Sequence, residues 1–177
     1  MILSLATMVS AQDGTPIFAY DFTRAGGQGS VGVAQGYKTY FMQDQEGQMQ
    51  DTHSISAGLD YIGVGPILAW LHDRGRVRFE AATDAEVVTA FGRVVRDEGL
   101  IPALESAHAF AAALREASQL SAADCILVNM SGRGDKDIFT IAAALGDERW
   151  YEFLRARVAQ YDRRRKDRRA GGTGTGQ

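Results

Sequence analysis

Cysteine is almost missing from this 177-residue sequence: Cys125 stands alone. One thiol closes no internal disulfide and builds no zinc site by itself, so neither kind of staple holds the fold. Its neighbours Ile126-Leu127-Val128 predict a buried thiol acting as a small hydrophobe. Histidine is nearly as scarce, and His53, His72 and His108 have no metal-ligand spacing to one another. Lysine is limited to Lys38, Lys136 and Lys166. No apolar run approaches the length of a membrane span. The apolar start, Met1 to Ala11, lacks the basic flank of a secretory signal and is expected to be a strand or helix segment. No serine sits in a G-x-S-x-G elbow, and no internal repeat is present.

What is there suits one globular domain: 45% of residues are hydrophobic and 23% charged. The net charge of −3 makes the whole molecule unattractive to nucleic acid. Positive charge is concentrated between Arg155 and Arg169, with Arg163-Arg164-Arg165-Lys166 at its centre. That cluster has no interleaved aromatic platform beyond Tyr161, and cations at a helix C-terminus explain it. These features are those of a cytoplasmic protein with no nucleic-acid or membrane partner.

Element signals follow along the chain. Asp13 to Gly36, rich in Gly, Gln and Ser, reads as loop. Tyr37 to Gln43 reads as a strand, followed by a turn at Gln45 to Gln48. Val77 to Ala81 alternates like a strand. Thr83 and Glu86 then form a capping box for a helix that buries Val87, Val88, Phe91, Val94 and Val95 and stops at Glu98-Gly99. Pro102 opens another helix, with Leu104, Ala107, His108, Ala111, Ala112 and Leu114 inward. Cys125 to Met130 reads as a buried strand of the parallel-sheet kind. A short helix runs from Asp135 or Lys136 to Leu145. A final amphipathic helix covers Asp147 to Arg165, with Trp150, Phe153, Leu154 and Val158 inward. Ala170 to Gln177 is expected to be disordered. This order predicts an α/β fold, a three-layer sandwich with a mostly parallel sheet.

Three stretches could carry chemistry. Ser54 to Pro66 holds three glycines and a proline, a density equally suited to an active-site loop or an ordinary connection. Ser131-Gly132-Arg133-Gly134 follows a strand and precedes a helix, where open α/β sheets bind ligands. It is not a Walker A sequence, and a tight turn is the other reading. Glu105 lies in the first turn of its helix, where the dipole alone favours a carboxylate.

Taken together, His53 to Tyr61 (HSISAGLDY), Ile101 to Ala109 (IPALESAHA) and Val128 to Phe139 (VNMSGRGDKDIF) resemble the C-terminal half of tryptophan synthase beta chains. Gly36 to His53 extends the likeness, which runs from about Val31 to about Leu145 in the family's order. The resemblance implies a partial type II fold of pyridoxal 5'-phosphate (PLP) enzymes. It implies the family activity, β-replacement of L-serine by indole to give L-tryptophan, and as partners the alpha chain and a second beta chain. Ser131 matches the serine that hydrogen-bonds the pyridine nitrogen, with Gly132 beside it. Glu105 matches the glutamate that moves protons next to the cofactor. Asp60 matches the aspartate that engages substrate on closure. The backbone carbonyls of Tyr61 and Gly63 match ligands of a monovalent cation.

Some family features are not in this sequence. Family chains are longer, and the lysine that links to the cofactor, in a His-Lys-x-Asn context, lies in their front half. So does the Gly-Gly-Gly-Ser-Asn loop that holds the phosphate. Here Asp60 to Leu68 reads DYIGVGPIL where the family has DYPGVGPEH. The resemblance therefore implies a shortened chain: a divergent segment over 1–30, the family domain over 31–165 and a tail over 166–177. No turnover is expected from it alone. It also implies an exposed apolar patch near Ile62, Ile67 and Leu68, suited to a complementing subunit.

Overall fold

A short link settles the direction of the first two strands. β1 (Thr7–Ser10) and β2 (Pro16–Tyr20) are joined through residues 11–15, too few for the crossover that a parallel pair needs. They pair antiparallel, with Met8 opposite Ile17. The computed structural model describes residues 7–10, 16–20 and 29–171, which belong to two compact units divided between Ile138 and Phe139.

In the first unit, β1 and β2 join β5 (Arg78–Ala81) and β6 (Ile126–Asn129) in one sheet of order β5-β2-β1-β6. β2 and β5 run parallel, whereas β1 and β6 run antiparallel. The expected mostly parallel sheet is thus corrected to a mixed one with two antiparallel pairings out of three. The class remains α/β in composition, with helices packed on the sheet.

β3 (Ser30–Ala34) and β4 (Tyr37–Phe41) form a separate antiparallel hairpin around Gln35 and Gly36, both at positive φ. The expectation of loop over Asp13 to Gly36 is therefore corrected at β2 and β3. β3 was hidden by its inverted pattern: Val31 and Val33 are exposed while Gly32 and Ala34 face inward. Gly32 sits on the side chain of Gln43, where a Cβ would come within 2.7 Å of Oε1. The small residues must therefore take that face, and the period-2 pleat sends the valines outward.

α1 (Pro66–Asp73) begins with a proline in its first turn and buries Leu68 and Ala69. Leu68 packs with Val77, Leu71 and Phe79. α2 (Asp84–Glu98) starts at the anticipated capping box, in which Thr83 Oγ accepts the Glu86 N–H and Glu86 accepts the Thr83 N–H. It ends at Gly99, whose φ of 68° suits glycine. α3 (Leu104–Ala117) buries Leu104, Ala107, His108, Ala111 and Ala112. Fully burying Leu104 contributes roughly 2–3 kcal/mol. The alanines of α3 let Ile126 and Val128 of β6 come down on Ala112 and Ala113.

β6 is half-covered. Ile126 and Val128 face α3, while Leu127 is 69% exposed and Cys125 is exposed. The expected buried thiol is corrected here: among the described residues, helix covers one face of β6. An antiparallel edge strand with one solvated face explains the alternation.

After β6 comes a single 3₁₀ turn (Gly134–Asp137), leading into α4 (Ile138–Leu145). In the second unit, α5 (Glu148–Gly171) follows the turn at Gly146-Asp147. Phe139, Trp150 and Phe153 form an aromatic chain, and Arg157 lies over the Phe153 ring at 5.1 Å. Phe153 and Val158, expected inward, are exposed, because charge surrounds the helix on all sides. No helix among the described residues is long and apolar enough to cross a membrane. The anticipated disorder of the last residues lies outside the described residues from 172 onward.

Candidate functional site around Glu105 and Ser131

Three segments converge where β6 ends. They are the loop over 51–65, the start of α3 and the turn Ser131 to Asp137. The turn is stapled to the residues before α3 by backbone hydrogen bonds. Ala103 N–H donates to the Gly132 carbonyl (2.9 Å), and Gly134 N–H donates to the Ile101 carbonyl (2.8 Å). A Cβ on Gly134 would collide with the Pro102 carbonyl, and one on Gly132 would press on Ala103 at 3.3 Å. The glycines are there for close backbone packing. The Gly134 amide is thus engaged within the fold and is not free to meet a ligand.

Side chains complete the junction. Asp137 Oδ2 accepts the Leu104 N–H (3.0 Å), satisfying one of the free donors at the start of α3 that Ala103 cannot serve. Glu105, only 4% exposed, accepts the Gly58 N–H at Oε1 (3.0 Å). Lys136 Nζ donates to Glu105 Oε2 (2.9 Å) and to Asp137 Oδ1 (2.8 Å). Gly58 is required: a Cβ there would lie 2.5 Å from Glu105 Oε1. Burial pushes the Glu105 carboxyl up, but the Lys136 ammonium and backbone N–H donors outweigh it and hold the group below the usual carboxylate range. Lys136 is also lowered by burial, and its two carboxylate partners more than reverse this.

Ser131 is exposed at the end of β6, and its Oγ lies 3.4 Å from that of the fully buried Ser106. Adjacent positions on α3 thus carry a buried carboxylate and a buried hydroxyl, and the hydroxyl meets the exposed one of Ser131. Asp60 lies two residues beyond Gly58 and is exposed, its carboxylate accepting from Thr52 Oγ1 (2.7 Å). Tyr61 and Gly63 lie on the other side of the loop. There Met42 N–H donates to the Ile62 carbonyl and Val64 N–H to the Tyr40 carbonyl. The Tyr61 and Gly63 carbonyls take no part in those two bonds. Gly63 is packed on Phe41, whose ring a Cβ would meet at 2.5 Å. The structure therefore gathers Glu105, Ser131 and Gly132, and holds Asp60, Tyr61 and Gly63 along the adjoining loop.

The loop itself is pinned by α2, since Asp84 accepts the Ile55 N–H (3.0 Å) and contacts His53 Nε2 (3.0 Å). Sequence reasoning missed Lys136, Asp137 and Gly58. The alternating charges of Gly134-Asp135-Lys136-Asp137 were the available signal.

No family model matches the chain. Among curated proteins, the tryptophan synthase beta chain of Helicobacter hepaticus is 53% identical over 131 residues, 74% of this chain and 31% of that relative. The tryptophan synthase beta chain of Bordetella parapertussis is 55% identical over 118 residues, 67% of this chain and 30% of the relative. That of Allorhizobium ampelinum is 51% identical over the same length. The matched stretch belongs to the tryptophan synthase beta-chain family. It spans about a third of the length of the curated relatives it matches. Identity above one half over such a length places the beta-chain likeness well beyond any single motif, and the SGRG turn and Glu105 are best interpreted within that family.

Proposed function

We propose that this chain supplies the C-terminal part of a tryptophan synthase beta-type site, in which L-serine and indole are converted to L-tryptophan with PLP. The observation that carries this is the first turn of α3, where buried Glu105 is held by Gly58 and Lys136 and buried Ser106 meets Ser131, in a beta-chain sequence.

The described donors fit the ring end of PLP and not its phosphate. Ser131 would donate a neutral hydrogen bond to the pyridine nitrogen, with Gly132 letting the backbone pass close to Ala103. The cofactor, when bound, supplies the electron sink for bond breaking at the substrate. Glu105 would hold and return the proton, from a carboxylate fixed by Gly58 and Lys136. Asp60, exposed on the loop, would engage the amino-acid substrate. The carbonyls of Tyr61 and Gly63 would hold a monovalent cation that stiffens the same loop. The alpha chain and a second beta chain are the proposed partners, in the cytoplasm.

None of the three lysines suits attachment of the cofactor. Lys136 is kept protonated between two carboxylates, Lys38 is exposed on β4, and Lys166 is exposed on α5. PLP followed by borohydride should leave no pyridoxyl group on Lys38, Lys136 or Lys166, and the chain alone should not consume indole. Adding a beta-chain fragment that carries the attachment lysine and phosphate loop should restore tryptophan formation. A folded chain that restores none would overturn the proposal.

A second reading is a non-catalytic module that docks on a tryptophan synthase subunit. It is favoured by Ile67 (76% exposed), Trp70 (55%) and Leu127 (69%). The anticipated patch is narrower than expected, because Leu68 turns inward onto Val77. Co-purification with a full-length alpha or beta chain, without gain of activity, would select this reading.

A further inference from the structure

Lys136 looks from sequence like a solvated cation in a polar turn, but the fold gives it another task. Its Nζ lies 2.9 and 3.2 Å from the two oxygens of Glu105 and 2.8 and 2.9 Å from those of Asp137. Glu105 comes from the first turn of α3, and Asp137 from the 3₁₀ turn. Asp137 at the same time accepts the first amide of α3, that of Leu104. One ammonium therefore ties the turn to the helix and grips the single carboxylate that points at the loop glycine Gly58.

We propose that Lys136 is a positioning residue for Glu105: shared with Asp137, its ammonium fixes the Glu105 carboxylate against the Gly58 amide. The functional meaning of that placement rests on the proposed function, since Glu105 is the proton carrier there.

The surroundings leave this task to Lys136. From α3 itself comes His108, one turn on, whose Nδ1 is bonded to the Leu104 carbonyl (2.8 Å). From the turn come Asp137, which shares the ammonium, and Asp135, which is paired with Arg133 (2.8 Å). From the loop comes Asp60, hydrogen-bonded to Thr52. Among the described residues, Lys136 is the one cation in contact with Glu105. Removing it would leave two nearly buried carboxylates, Glu105 and Asp137, side by side without a counter-ion.

The test uses the full 177-residue chain with no PLP or substrate added, so its outcome is independent of whether the chain takes part in tryptophan synthesis. The Glu105 carboxyl is followed by ¹³C NMR across pH and assigned by its loss in Glu105→Gln. In Lys136→Met its titration midpoint should rise from below to above the ordinary glutamate value of about 4.3. Lys136→Arg should bring it most of the way back. An unchanged midpoint in a folded Lys136→Met chain overturns the proposal. If Lys136→Met does not fold at neutral pH, the double variant Lys136→Met/Glu105→Gln decides. Recovered folding supports a counter-ion to Glu105, because an amide needs none. Continued failure overturns it, because Lys136 would then be holding the turn without reference to Glu105.

Discussion

Charge is dense in two places, the junction of α3 with the Ser131–Asp137 turn and the length of α5, and it behaves differently in each. At the junction, Glu105 and Asp137 are nearly buried, and every oxygen that accepts Lys136 is within 3.2 Å. Along α5, Arg163, Arg164, Arg165 and Lys166 are all exposed. Burial turns an ion pair into a geometric requirement, since an unpaired charge there is costly and only one arrangement pairs it. Exposed charge is satisfied by water in many arrangements and specifies none of them. In the second unit the aromatic chain of Phe139, Trp150 and Phe153, with Arg157 over the Phe153 ring, supplies contacts of definite geometry that the Arg163 to Lys166 cluster does not.

The comparison can be broken most easily at its tightest point. Gly134→Ala puts a Cβ into the Pro102 carbonyl and should prise the turn from α3. A loss of about 3 kcal/mol in denaturant unfolding of the full chain is expected. Unaltered stability would mean that the junction is looser than its hydrogen bonds indicate.

Acid and base probe the same junction with a smaller effect. Glu105 has a folded-state value below its unfolded one, so its contribution is complete above about pH 4.3 and is lost as pH falls through the folded value. Lys136 has a folded-state value above its unfolded one. Its contribution is complete below about pH 10.4 and is lost as pH rises through the folded value. Thermal midpoints measured across pH should therefore fall at both ends, and Glu105→Gln should blunt the acid-side fall. An acid limb identical in the two proteins would show that the pair contributes nothing to stability.

The smallest effect is expected on α5. Replacing Arg163 and Arg164 together by alanine should leave unfolding of the full chain unchanged, since both are exposed and alanine is the better helix former. A measurable loss would place a specific contact on that face and weaken the contrast with the junction.

Much of the local structure was legible in the sequence. The capping box of Thr83 and Glu86, the stop at Gly99, the strand over Tyr37 to Phe41 and the turn containing Gly47 all depend on neighbours within a few residues. The likeness to beta chains was legible too, and it directed attention to Glu105 and Ser131. Less legible were strand direction, the burial of β6 and the outward valines of β3. Cys125 and Leu127 sit in an apolar run whose pattern fits a strand covered on both faces, yet α3 covers only one face of β6. Val31 and Val33 point outward because Gln43, ten or more residues away, occupies the space opposite Gly32.

By itself, then, the sequence determined where α2 begins and ends and to which family the middle of the chain belongs, because capping and turn chemistry act over a few bonds. The tertiary structure decided what the polar residues between those elements do. Gly58 must be glycine because Glu105, far along the chain, comes to rest against it. Gly134 must be glycine because the Pro102 carbonyl occupies the place of a side chain. Lys136 is a counter-ion because two nearly buried carboxylates, Glu105 from α3 and Asp137 from the turn, meet at its ammonium.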